Sequence, residues 1–196
     1  NVVKDFRIYF EKKIEWGITN HAGNTGAAPR PYPIIPYHDG WLLMEPSSDT
    51  IFRISQDYSL SPFMARTPSI QSMKPAVFLL PCIFTDRYHF METITMEANL
   101  LRNEGFPKTQ LVYDKKENSL FEYTMLNNDF PEKGPVNFTM QETTNSEIAF
   151  WQKMEPHELI EAYAKGQLKG KLKDIAAELQ EDSNPVIMLV KYRKVT

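Results

Sequence analysis

The chain has 196 residues, which suits one large domain or two small ones with a core burying roughly 70% of the unfolded surface. Hydrophobic residues at 42% and charged residues at 24% argue against disorder and against a membrane protein, and a formal net charge of -3 offers no basic field for a phosphate backbone, so nucleic acid is not an expected partner. Cys82 stands alone, which excludes an internal disulfide and a thiolate-rich metal site. No apolar run approaches the roughly 20 residues of a membrane-spanning helix. The charged, aromatic opening from Asn1 does not read as a signal peptide; one, if made, is expected to have been removed. Fourteen prolines against eight glycines, with 12% aromatics, favour many short strands over long helices.

In chain order, Phe6, Ile8, Phe10, Ile14, Trp16 and Ile18 recur at every second position, predicting two strands joined near Glu11 to Lys13. Asn20 to Pro36, with four prolines after residue 28, reads as a loop of extended or polyproline backbone. Trp41-Leu42-Leu43-Met44, Thr50 to Ile54 and Leu60 to Ala65 read as a three-strand meander. The first of these is apolar on both faces and so calls for cover on both sides, as stacked sheets would supply. Val77 to Phe84 and Arg87 to Thr95 repeat the pattern about a turn at Thr85-Asp86, and Gln110 to Tyr113 with Ser119 to Tyr123 form a hairpin. A last strand pair is expected in Val136 to Met140 and Glu147 to Trp151.

The period then changes to that of a helix. Pro156 suits a first helical position and Gly166 a stop; Leu168, Leu172, Ile175 and Leu179 define a second helix, with lysines at 165, 169, 171 and 173 on or near its wet side. Asn184-Pro185 ends it, and Val186 to Val190 reads as a buried strand. The expectation is a mainly β single domain over residues 1–196 made of propeller-like antiparallel meanders, with a helical hairpin at about 155–181 and a final strand; the alternative is a β-sandwich with appended helices.

Trp41-Leu42-Leu43, Asp49-Thr50-Ile51-Phe52-Arg53-Ile54 and Leu60-Ser61-Pro62 resemble a blade motif of six-bladed β-propeller proteins of unknown function from gut anaerobes. The ending Glu181 to Lys191, after a lysine-rich helix, resembles theirs as well. Where that family continues with an aliphatic run and a glycine, this chain has Phe63-Met64-Ala65-Arg66-Thr67-Pro68. Six blades of about 40 to 45 residues need more chain than this, so the resemblance implies about three blades plus the helical insertion, from the C-terminal part of a longer protein. It also implies a secreted or lipid-anchored envelope location, periplasmic or at the cell surface, and no known reaction, cofactor or catalytic residue. An incomplete ring would expose a sheet face and edge at each end, so self-association, or pairing with the remainder of the propeller, is expected.

Candidate ligand-binding residues are Tyr32, Tyr37, His38, Asp39 and His89. Tyr32 and Tyr37 flank the proline loop and could stack on sugar rings or a peptide, as could Trp16 and Trp41, although all four also suit a core. His21 and His38 bracket the same segment without a spacing that fixes a metal geometry. His89, with Asp86, Arg87 and Glu92 nearby, suits either a channel mouth or a solvated strand face. His157 reads as solvent-facing, and Cys82 in its apolar setting as inert packing. No paired carboxylates and no Gly-x-Ser-x-Gly fix a catalytic site. The reading is a noncatalytic envelope binding module for a glycan, peptide or protein, without cofactor or metal; the alternative is a glycan- or peptide-acting hydrolase or lyase using His38, Asp39, Asp86 and His89.

Overall fold

The computed structural model describes residues 4–19, 25–27, 33–97, 105–130, 134–139 and 147–192. It is mainly β, with antiparallel sheets and two helices. The chain divides into two compact units, residues 1–122 with 139–142 and residues 123–138 with 143–196.

In the first unit, residues 4–16 join no ladder and bend at residues 11–12, and half-buried Phe6, Ile8, Phe10, Ile14 and Trp16 alternate with exposed neighbours. Of the two predicted N-terminal strands, only the end of the second, at residues 17–19, joins a ladder among the described residues. The alternation is present, but the segment is tied by Ile14 N donating to Ser47 Oγ at 2.9 Å and Gln71 Nε2 donating to Lys12 O at 2.8 Å instead of by a neighbouring strand. Strand β1 (Gly17–Thr19), at the end of the predicted second strand, pairs with β2 (Thr25–Ala27), which lies inside the stretch read from sequence as loop.

Next come β3 (Ile34–Tyr37), β4 (Gly40–Met44), β5 (Thr50–Ile54) and β6 (Leu60–Ala65), hydrogen-bonded in that order as a four-stranded antiparallel meander. The last three are the predicted meander; β3 adds a strand within the proline-rich segment. Pro36 is tolerated because β3 is an edge strand, where a missing N–H breaks no ladder on the open side. After a 3-10 turn at Ile70–Ser72, β7 (Val77–Phe84), β8 (Tyr88–Thr95), β9 (Lys108–Asp114) and β10 (Ser119–Glu122) form a second meander of the same build.

The two meanders stack through one core. Ile35, Leu42, Met44 and Ile51 of the first meet Phe78, Leu80, Ile94 and Met96 of the second, with Ile70 between them and Trp16 stacked on Phe78 at 3.9 Å. Leu42, Phe78 and Ile94 are each 1% exposed, so each contributes about 1.5–3 kcal/mol by leaving water. Only one side of β4 is covered in this way. Trp41 on its other side is 37% exposed and Leu43 half-buried, so the expected cover on both sides is not met among the described residues.

The second unit contains β11 (Met125–Asn127) paired with β12 (Gly134–Val136), then β13 (Ile148–Met154), α1 (Pro156–Ala164), α2 (Gly170–Ala177) and β14 (Val186–Lys191). The helical hairpin is as predicted: Pro156 opens α1, and Gly166, at φ 69°, accepts the left-handed backbone that stops it. Leu159, Leu168, Leu172 and Ala176 make its core, with Phe130, Met154 and Val186 against them. The strand pairing differs from expectation. Val136 pairs back to Met125, and β13 pairs with β14 across the hairpin, from Ile148 opposite Lys191 to Met154 opposite Val186.

Candidate functional site

Each meander runs up and down, so β3–β4, β5–β6, β7–β8 and β9–β10 all turn at corresponding strand ends. Contacts between Tyr37 and Phe84 place the β3–β4 and β7–β8 turns at the same end of the stacked pair. This loop end gathers three of the five sequence candidates about one ring cluster and places Asp39 beside it.

Tyr37 ends β3, and a two-residue turn, His38-Asp39, returns the chain to Gly40 opposite it. The turn is possible because Gly40 lacks a side chain, since a Cβ there would collide with the Ile54 carbonyl of β5. His38 takes a left-handed backbone at φ 50°, as do Tyr58 in the β5–β6 turn (φ 58°) and Asn118 in the β9–β10 turn (φ 50°). Non-glycine residues enter that region at a cost of about 1 kcal/mol or more, least for Asn and His and most for a bulky ring such as Tyr58.

The Tyr37 ring meets His38 at 4.3 Å, Phe63 at 5.0 Å and Phe84 at 5.7 Å. Phe63 and Phe84 in turn flank His89 at 5.5 and 4.7 Å, and Tyr113 closes the group at 6.0 Å. His89 lies opposite Phe84 in the β7–β8 ladder and opposite Tyr113 in β8–β9, so strand register builds the cluster. His89 is 7% exposed, and neither ring nitrogen has a hydrogen-bond partner among the described residues. Burial, with a smaller contribution from the like charge of Lys115, pushes its pKa down to about 4, so the imidazole is neutral at physiological pH. A solvated strand face, the simpler reading of His89 from sequence, is thereby excluded.

Charged groups border the rings. Asp39 Oδ1 accepts from Arg53 Nη2 at 2.5 Å, an exposed pair worth at most about 1 kcal/mol after screening. Tyr37 has its hydroxyl pKa raised by burial, opposed by Arg53 and reinforced by Asp86 of the neighbouring turn. The β7–β8 and β9–β10 turns are locked together by Arg87, whose Nε and Nη2 fork onto the Asp114 carboxylate at 3.0 and 2.6 Å. Asp114 also accepts from the backbone of Lys116 and Glu117, and with Arg87 as the leading cause its pKa falls to about 2. This lock is the part that sequence reading missed; the Asp114 to Asn118 turn offered only its polarity.

Of the other candidates, Tyr32 and His21 lie outside the described residues. Trp16 belongs to the core, Trp41 faces away from the cluster side of its sheet, and His157 is exposed in the first turn of α1. Burial raises the Cys82 thiol pKa far above its ordinary value, the setting of an inert cysteine. A cavity between the sheets lies at the opposite end, lined by Glu45, Asp49, Arg66 and Phe78; its volume of about 20 Å³ suits one water and no larger ligand. Among the described residues no group of three or more His, Cys, Asp or Glu is placed to hold a metal, and no helix is long and apolar enough to cross a membrane.

No protein-family model matches the chain. No curated protein matches it either. Among solved structures, a crystal structure of a protein from Bacteroides fragilis, provisionally described as exported, is similar at a TM-score of 0.53 and 14% identity. The match covers 90% of this chain and 57% of that one, so this chain spans little more than half the length of the protein it resembles. At that identity the likeness concerns the fold.

Proposed function

We propose that the chain is a noncatalytic binding module of the cell envelope, built from propeller-like blades, that takes a glycan or peptide at the loop end of its first unit. The two four-stranded meanders stacked face to face, each a blade-like sheet, support the architectural part. The similar fold of the Bacteroides fragilis protein provisionally described as exported supports the location. The observation that carries the binding reading is that the Tyr37-His38-Asp39 turn of one sheet meets His89 of the other, with Tyr37, His38 and His89 in one ring cluster and Asp39 beside it. Aromatic faces flanked by an exposed carboxylate–guanidinium pair suit a ligand with both CH faces and hydroxyl or amide groups.

The alternative, a hydrolase or lyase at this end, needs a base within hydrogen-bond reach of the proton it removes. His89 is walled by Phe63, Phe84 and Tyr113, and Asp39 is engaged by Arg53, so the geometry favours binding over acid–base work. The test is a glycan-array and peptide-library screen, with hits measured by calorimetry against His38→Asn, which keeps a residue tolerant of the left-handed backbone, and Asp39→Asn. Both exposed substitutions are expected to weaken binding at least tenfold while leaving the melting temperature near that of the parent. A blank screen, or hits indifferent to both, would remove the reading.

A further inference from the structure

The β5–β6 turn holds a bulky ring on a backbone that disfavours it. Tyr58 stands at φ 58°, in the left-handed region that glycine or asparagine enters far more readily. The turn is closed without the tyrosine side chain: Ser55 N donates to Ser59 O at 3.0 Å, Tyr58 N to Ser55 O at 2.9 Å, and Ser59 N to Asp57 Oδ1 at 3.0 Å. The Tyr58 ring is 45% exposed, and its side chain makes no hydrogen bond or ring contact among the described residues. No such contact therefore offsets the left-handed backbone, and non-glycine residues held in sparsely populated conformations gather where a ligand is clamped.

That turn adjoins the polar part of the loop end. Ser55 at its base lies against Gly40, whose missing side chain leaves room for the Ile54 carbonyl and the Ser55 Cα, and Arg53 just before it reaches Asp39 of the β3–β4 turn. The two turns are two strand spacings apart, about 10 Å. Arg53 is 38% and Asp39 67% exposed, so the pair is open to a ligand. We propose that Tyr58 is the stacking platform of the loop-end site and that the ligand is a glycan: the CH face of one sugar ring lies on the Tyr58 ring while hydroxyls of the same glycan reach Asp39 and Arg53. Tyr58 has this role only if the loop end binds as proposed above, and it narrows the ligand from glycan or peptide to glycan. A sugar hydroxyl both donates and accepts, which matches a carboxylate and a guanidinium placed side by side. Extended peptides are taken up along a strand edge, whereas these groups stand on turn tips.

Calorimetry of glycan-array hits on the full chain, with Tyr58→Gly and Tyr58→Phe beside the parent, is the test. Tyr58→Gly removes the ring and relieves the backbone; it is expected to weaken binding about tenfold while its denaturation midpoint rises above the parent's. Tyr58→Phe keeps the ring and is expected to bind within about twofold of the parent, since stacking needs no hydroxyl. A gain in stability joined to a loss of affinity is an outcome that a merely structural tyrosine does not produce. Glycan hits weakened by Asp39→Asn but indifferent to Tyr58→Gly would overturn the platform and leave the loop-end reading standing. Loss of binding in Tyr58→Phe equal to that in Tyr58→Gly would overturn stacking in favour of a hydroxyl contact, and hits confined to peptides would overturn the glycan. A blank screen would remove the loop-end reading and the platform together.

Discussion

Replacing His89 by Leu should change how stability depends on pH more than any other single substitution at the loop end. In the folded chain the imidazole takes a proton only below about pH 4, whereas in the unfolded chain it does so below about 6.5. Above pH 6.5 neither state is protonated there, and His89 contributes no pH dependence. Between 6.5 and 4 the unfolded state alone gains the proton, so stability falls as the solution is acidified. The depression is worth at most about 3 kcal/mol, at 1.36 kcal/mol per unit. At neutral pH the two unpartnered nitrogens cost about 1–3 kcal/mol, which the variant recovers, less what it loses in ring contacts with Phe63 and Phe84. Urea titrations of both proteins at 25 °C, from pH 7.5 to 4, should give curves that diverge by about 2–3 kcal/mol toward acid, the variant being the more stable there. Asp114 does not interfere, since its lowered pKa removes stability only from about pH 4 downward and is common to both proteins. Parallel curves would refute the sealed, neutral imidazole.

Gly40→Ala should destabilise by about 2 kcal/mol or more and displace the His38-Asp39 turn, because the new methyl meets the Ile54 carbonyl; chemical denaturation measures the first and amide shifts of residues 37–41 the second. Tyr58→Gly should raise stability by about 0.5–1 kcal/mol, the left-handed cost removed less the entropy that glycine adds to the unfolded chain, read as a shift in denaturation midpoint. Lys108→Met should cost about 1–3 kcal/mol, because Glu92, 2% exposed, then keeps Gln110 at 2.8 Å as its one side-chain donor among the described residues; Glu92→Gln added to it should recover part of the loss in a double-mutant cycle.

Strands with a period of two and polar turns were legible: β4 to β10 stand within a few residues of where alternation and Gly, Asp, Asn and Ser placed them. β3 was not, because Pro33 and Pro36 read as breakers; Pro36 in β3, Pro62 in β6 and Pro81 in β7 all sit on edge strands, and edge position is a property of the sheet. The N-terminal alternation is physically present as alternating burial, yet a period of two records which side is covered and not whether a neighbour supplies hydrogen bonds. The β13–β14 pair joins segments separated by two helices, and no local signal states that choice. At the candidate site the residue types were readable and their surroundings were not. Tyr88-His89-Phe90 looks half-solvated along the chain, and only the register opposite Phe84 and Tyr113, together with Phe63 from the other sheet, seals His89.

The central claim, that the loop end of the first unit is the binding face, is tested most directly by amide chemical-shift mapping with the best glycan or peptide hit. Shifts are predicted to concentrate in residues 37–40, 57–58, 84–89 and 113–118. Shifts confined to β13, β14 or the helical hairpin, or no saturable shift at millimolar ligand, would contradict it.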